Sequence, residues 1–217
     1  MDDKAATRER ILQAAMARIK HYGYGKTTMA EIAADCAMSP GNIYRFFEAK
    51  IDLAEAMARK HYADQFQDLS KIVRRRDMPA DERLREFFFR RMRENYLMME
   101  QNSKILEVAE VLHTERPLFA NEQLAQERVL LTQLLREGEA SGVFAPSDFE
   151  FTAEMLQSAT AKFSIPQLFS HLTLPKLERE LAGVLNLLFA GLFARPLPAN
   201  DAAPLLEPRL ESAITNS

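Results

Sequence analysis

Between Lys26 and Lys50 the chain gathers side chains that bind rather than react. Lys26, Thr27 and Thr28 come first, then Ser39, Pro40, Gly41, Asn42, Tyr44 and Arg45, then Lys50. Hydroxyls, cations and a phenol are natural partners of phosphate oxygens. An asparagine amide carries the paired donor and acceptor that match an adenine edge in a major groove. No member of the set is a base beside a nucleophile. The four histidines, His21, His61, His113 and His171, form neither H-x-x-x-H nor H-E-x-x-H, so no metal site is expected. The chain has no G-x-S-x-G and no glycine-rich phosphate loop. These residues point to recognition of a polyanion, and no cofactor or catalytic group is expected.

Two short helices joined by a tight turn would place those side chains. Thr28 with Glu31 fits a capping box at the start of the first. Met29, Ile32, Ala33 and Cys36 then share one face at helical spacing, with Cys36 read as a small buried side chain. Ser39-Pro40 opens the second helix, serine as N-cap and proline at the first helical position. Ile43, Phe46 and Phe47 recur as an inward face. Pro40, Gly41, Asn42, Tyr44 and Arg45 are left toward the other side. A short, polar-tipped, aromatic and basic helix suits entry into a major groove N-terminus first.

The stretch from Arg8 to Arg59 resembles the TetR family of bacterial transcriptional regulators. The resemblance rests on RILQAAMARIKHYGYGKTTMAEIA, on the serine-led helix, and on IYRFFEAKIDLAEAM, with T-x-x-x-I-A followed by Y-x-x-F-x-x-K. It implies that Thr28 touches a DNA phosphate as well as capping its helix, and that Lys50 grips a phosphate from the head of the next helix. Tyr44 is expected to face DNA, because its neighbours already fill the inward positions. Lys26 and Thr27 read equally well as phosphate contacts or as an ordinary solvated loop. One departure stands out: the family usually has glycine in the turn before the recognition helix, and this chain has Cys36-Ala37, where alanine is penalised at positive φ.

Around this head the hydrophobic pattern is helical throughout, so the expected fold is all-α with about nine helices. Residues 1–4 are expected to fray, and a first helix from Ala5 to His21 braces the pair. A helix from Lys50 to Arg74 would be a rigid connector. Arg74-Arg75-Arg76 closes it as charge suited to a helix C-terminus. Further helices are expected through Leu84–Met99 with Asp81 as cap, over 104–113, over 116–140 with Pro117 at the first position, over 149–163 behind Ser147 or Asp148, and over 177–193. The domain reading is a helix-turn-helix unit over 1–50, a ligand-binding and dimerisation domain over 51–195, and a loose tail over 196–217. Met- and Phe-rich interiors can shape an adaptable cavity, with Phe88, Met92, Met99, Leu106, His113, Leu131 and Phe163 as candidate lining. The resemblance puts the dimer interface on the last two long helices, at Ala153, Leu156, Thr160, Leu181, Val184, Leu185 and Leu188.

Bulk properties are compatible with this. The 217 residues carry a net charge of −3 with 27% charged residues, so the whole chain does not advertise nucleic acid. Residues 1–60 hold ten Lys/Arg against eight Asp/Glu, and a locally basic face would do the work. A single cysteine, an N-terminus without an apolar core and the lack of a long apolar run lead to the expectation of a cytoplasmic, non-membrane protein. The function expected is a homodimeric one-component regulator, a repressor binding a palindromic operator and released by a small apolar effector. The alternative is a helical dimeric sensor or carrier that binds ligand without DNA. Whether such a regulator represses or activates depends on where the operator lies in the promoter.

Overall fold

The computed structural model describes residues 2–169 and 171–192. Among them lie ten α-helices: α1 Asp2–Tyr22, α2 Met29–Asp35, α3 Pro40–Ile43, α4 Lys50–Val73, α5 Ala80–Gln101, α6 Leu106–Glu115, α7 Leu118–Ala140, α8 Phe149–Ala159, α9 Pro166–Phe169 and α10 Leu174–Leu192. Short 3-10 turns precede α6 at Ser103–Ile105 and follow α8 at Ala161–Phe163. The tail expected over 196–217 lies outside the described residues.

Most elements follow from the apolar period, and the departures have local causes. Helix α1 is regular from Asp2, so the fraying expected over 1–4 is not what the chain does beyond Met1. Pro79, not Asp81, stands at the N-cap of α5, and Asp81 and Glu82 instead place negative charge in its first turn. Asp148 is the cap of α8, its carboxylate accepting from the Glu150 and Phe151 amides at 2.9 Å each. Helix α8 stops at Ala159, short of the expected Phe163. There Thr160 leaves helical geometry, and its buried hydroxyl bonds Leu156 O at 2.7 Å while accepting from Arg91 Nη2 at 3.0 Å. A single helical turn, α9, occupies the stretch after Pro166 that the period could not resolve.

Two hydrophobic clusters hold the helices together. The first joins Ile11, Ala15 and Ile19 of α1 to Ile32 and Ala33 of α2, Ile43, Phe47 and the first half of α4. It continues into Met99, Ile105, Val108, Leu112 and Phe119, so packing does not stop where the helix-turn-helix ends. The second surrounds Phe87, Phe88, Met92, Leu131, Leu134, Phe163, Leu181 and Leu185, from α5, α7, the 3-10 turn after α8, and α10. Gly138 of α7 is required by this second core: a Cβ built there would lie 2.2 Å from Phe144 Cδ2. Buried among the apolar residues, Arg91 is ion-paired with Glu127 and lies over the Phe88 ring at 5.1 Å. Fully buried charge survives only when paired in this way.

Candidate nucleic-acid interface

Three elements converge on the loop between α1 and α2 and set the orientation of the head. Thr27 is fully buried and its hydroxyl donates to Gly23 O at 2.8 Å. Thr28 follows in extended geometry as the cap of α2. Its Oγ1 accepts from the Glu31 amide at 3.3 Å, and the Glu31 carboxylate accepts from the Thr28 amide at 2.9 Å, which completes the capping box. The Thr28 hydroxyl and amide together hold the Glu31 carboxyl below its ordinary range. Arg18 of α1 locks the far end of α2 through Asp35, with contacts of 2.7 and 2.8 Å, and lowers the Asp35 carboxyl likewise. Helix α1 and α2 therefore form one rigid block.

The turn between α2 and α3 has the conformation that glycine would favour. Ala37 adopts φ +53°, and Met38 N–H closes the helix end on Ala33 O at 2.9 Å. Cys36 beside it is buried, which pushes its thiol above the usual range. Ser39 takes the N-cap position of α3 in extended geometry but makes no side-chain cap bond, so its hydroxyl faces outward without that duty. Helix α3 is a single turn, continued by a turn through Phe46. Ile43 and Phe47 are buried behind it, with Phe46 half-buried.

What remains outside is a mostly polar and basic set. Lys26, Thr28, Ser39, Pro40, Gly41, Tyr44 and Arg45 are exposed and Asn42 is half-buried. Tyr44 is 52% exposed, which an inward ring would not be. Neither Lys26 nor Arg45 enters an ion pair among the described residues, whereas ten of the seventeen described arginines do. Two expected members fall outside this set. Thr27 offers DNA no side chain, because burial and its bond to Gly23 O occupy the hydroxyl. Lys50 is half-buried, and its Nζ donates to Tyr24 O and Thr27 O at 2.9 Å each while lying 4.2 Å from the Tyr24 ring. It orders the loop that carries Thr28. Periodicity could not foresee this, since the contact spans 23 residues of sequence.

In the body of the protein the structure separates core from cavity. A cavity of about 900 Å³ opens between α1 and the wall made by α4, α5, α6 and the start of α7. Met99 and His113 stand on its wall, and Leu106 packs against the adjoining core. Phe88, Met92, Leu131 and Phe163 lie in the other cluster and are not on the wall of this cavity. The apolar pattern marks burial but does not tell which buried side chain faces a void. Of the expected dimer residues, Ala153, Leu156, Thr160, Leu181 and Leu185 are buried within their own chain, whereas Val184 and Leu188 are half-buried at its edge. The outward apolar residues on those helices are Phe151 and Met155 of α8 and Leu187 of α10, the last 79% exposed, beside exposed Gly183, Ala190 and Gly191. Among the described residues no three His, Cys, Asp or Glu side chains are grouped to hold a metal ion, and no helix is long and apolar enough to cross a membrane.

Comparison with known proteins agrees with this architecture. Residues 11–57 match the family model for bacterial regulatory proteins of the tetR family, and residues 80–185 match that for the tetracyclin repressor-like C-terminal domain. Among solved structures, a TetR-family transcriptional regulator from Pectobacterium atrosepticum superposes with TM-score 0.70 at 20% identity, covering 91% of this chain and 99% of that one. SmeT, the repressor of the Stenotrophomonas maltophilia multidrug efflux pump SmeDEF, superposes with TM-score 0.65 at 21% identity over 94% and 99%. A TetR-family regulator from Mesorhizobium loti gives TM-score 0.67 at 16% identity over 88% and 98%. No curated protein matches the sequence. With an intact helix-turn-helix head, a helical body of the matching type and both family models satisfied, this chain belongs to the TetR family of bacterial transcriptional regulators.

Proposed function

We propose that the protein is a repressor that binds a two-fold symmetric operator as a homodimer and is released when a small, mostly apolar effector binds its body. The observation that carries the DNA-binding part is the exposure of the polar and basic side chains around α2 and α3. There, cations without ion-pair partners and outward hydroxyls are exposed with Asn42 half-buried, while Ile43 and Phe47 are buried behind them. Lys26, Thr28, Ser39, Tyr44 and Arg45 hold phosphates. Gly41 lets the tip of α3 approach the duplex, and Asn42 reads a base edge. Lys50 acts on the DNA indirectly, by fixing the loop that presents Thr28.

Dimerisation places two such tips in successive major grooves roughly 34–36 Å apart. The exposed apolar surface of α8 and α10, centred on Phe151, Met155 and Leu187 with small residues beside it, is the face that pairs. Two helices from each subunit then make a four-helix bundle. The effector favours a dimer with its heads at the wrong spacing, so its coupling equals its differential affinity for the two states.

The test is to expose purified protein to fragmented genomic DNA at two salt concentrations and sequence what is retained. A short palindromic sequence, held less tightly at the higher salt because phosphate contacts release counterions, supports the reading. Retention of no common sequence at either salt, by protein freed of co-purified ligand, contradicts it.

A further inference from the structure

The 900 Å³ cavity is not enclosed by the body alone. One of its walls is α1, the first helix of the head, with Leu12 and Met16; the opposite wall brings Met57 and Tyr62 of α4, Met99 of α5 and Leu112 of α6. Three polar ties cross between the two walls, at the ends of the cleft. Glu9 near the start of α1 is ion-paired with Lys60 of α4. At the other end, Lys104 donates to His21 O, and the Glu107 carboxylate accepts from the Gly25 amide at 3.0 Å. Glu107 also sits where a Gly23 side chain would be, 2.6 Å from the Cβ position. The loop it holds is the one that Lys50 orders and Thr28 ends.

The chemistry of the cleft restricts its occupant. Four of the ten methionines of the chain, Met16, Met57, Met98 and Met99, are on its wall, and unbranched thioether chains adapt to varied shapes. Its deep polar groups are neutral or satisfied. Burial pushes the Tyr62 phenol above its usual range, so it stays protonated and can donate. His61 Nε2 lies 3.1 Å from Asn95 Oδ1, and Asn95 in turn donates to Ser164 O at 2.7 Å. Of the charged groups near the wall, Lys60 is paired with Glu9, and Arg116 with Asp52 and Glu55 at 2.8 and 3.0 Å, while Lys20, Asp64 and Glu110 are solvent-exposed. A ligand carrying its full charge into the buried part of the cleft, away from those exposed groups, would find no counter-charge there without breaking one of these pairs.

We propose that this cleft between head and body is the effector site. It takes an uncharged, mostly apolar molecule with a hydrogen-bonding group, which acts by pressing directly on α1 against the three ties. The proposal rests on the reading of the chain as an effector-controlled regulator, but its site is tested without DNA. Because α1 and α2 move as one block through Arg18 and Asp35, displacement of α1 tilts the whole head. An occupant also weakens the Glu107–Gly25 bond and so loosens the loop before α2.

The probe is Nile red, an uncharged dye that brightens in apolar surroundings, titrated into the full-length protein. Saturable binding is expected, displaced by n-dodecanol about tenfold or more better than by dodecanoate or dodecylamine. Two variants that fill the cleft from opposite walls, Met16→Trp on the head and Ala109→Trp on the body, each weaken dye binding about tenfold or more. Their far-ultraviolet spectra and melting report whether they fold. Dodecanol at saturation also speeds hydrogen exchange of the amides over 21–27. Undiminished dye binding in both folded variants overturns the site. Stronger displacement by the charged chains overturns the ligand class, and unchanged exchange with the cleft filled overturns the action on α1. None of these outcomes depends on whether an operator is found, so failure here and failure of the repressor reading remain distinct.

Discussion

The ammonium group of Lys50, the first residue of α4, lies 2.9 Å from the carbonyl oxygen of Thr27, the residue before the cap of α2. A second bond to Tyr24 O and the Tyr24 ring beneath complete its surroundings. The lysine that sequence spacing offers to a phosphate is thus the clasp of the loop that presents Thr28. Removing it with Lys50→Met should weaken the fold as well as DNA binding. Charge-assisted bonds of this kind contribute about 1–2 kcal/mol when partly exposed, and a shift of a few degrees in melting temperature is the measurable consequence. Tyr44→Ala, by contrast, removes an exposed side chain and should leave melting unchanged while weakening operator binding. A change at both positions would confuse the two effects.

The strained turn gives a prediction of opposite sign. Ala37 holds φ +53°, a conformation that costs an L-residue about 1–2 kcal/mol and glycine almost nothing. Glycine also makes the unfolded chain more flexible, which offsets part of the gain. Ala37→Gly should therefore stabilise by about 0.5–1 kcal/mol, read as a higher denaturation midpoint with an unchanged slope.

Gly138 behaves in the reverse way. The Phe144 ring occupies the space a Cβ would need, at 2.2 Å from Cδ2. Gly138→Ala should destabilise by about 1–3 kcal/mol through overpacking, despite the better helix propensity of alanine. A rise in melting temperature on this change would contradict the packing.

These cases show which parts of the molecule are legible in sequence. The capping box at Thr28 and Glu31, the inward Ile43 and Phe47, and the outward Tyr44 depend on neighbours within one or two turns, and the residue pattern records them. So does the turn at Ala37, where an absent glycine marks the place of strain. What the pattern does not carry is contact between distant segments. Lys50 with Tyr24, Glu107 with Gly25 and Arg91 with Thr160 join residues 26, 82 and 69 positions apart. Periodicity likewise reports that Leu181, Leu185 and Thr160 are buried without saying whether their own chain or a partner buries them; here their own chain does.

The capping box also makes the head sensitive to acid. The Glu31 carboxyl is held below its ordinary value by the Thr28 hydroxyl and amide, which favour the ionised form. A carboxyl with a depressed folded-state pKa adds stability above its unfolded pKa and loses it as pH falls through the folded value. The wild type should therefore melt higher than Glu31→Gln at neutral pH, with the difference shrinking as pH drops below about 4. Melting curves of both proteins over that range check the sign.

Pairing of subunits through α8 and α10 is tested at Leu187, which is 79% exposed and lies outside the core of its own chain. Leu187→Glu should leave the fold of one chain intact and split the dimer, seen as a halved mass in sedimentation equilibrium. Binding to a full palindrome should fall with it, because each half-site would be held separately.

The measurement that bears most directly on the central claim, that the tip of α3 enters a DNA groove, uses Gly41→Glu. A Cβ at Gly41 meets nothing within 4 Å, and an acidic residue in the first turn of a helix does not oppose folding. Only an anion brought close to that tip would be repelled. Fluorescence anisotropy should be recorded with the duplex recovered from genomic DNA, for wild type and variant at equal salt. The account predicts unchanged melting and affinity lowered at least about a hundredfold, on the order of 3 kcal/mol. Wild-type affinity in the folded variant would place the DNA elsewhere and contradict it.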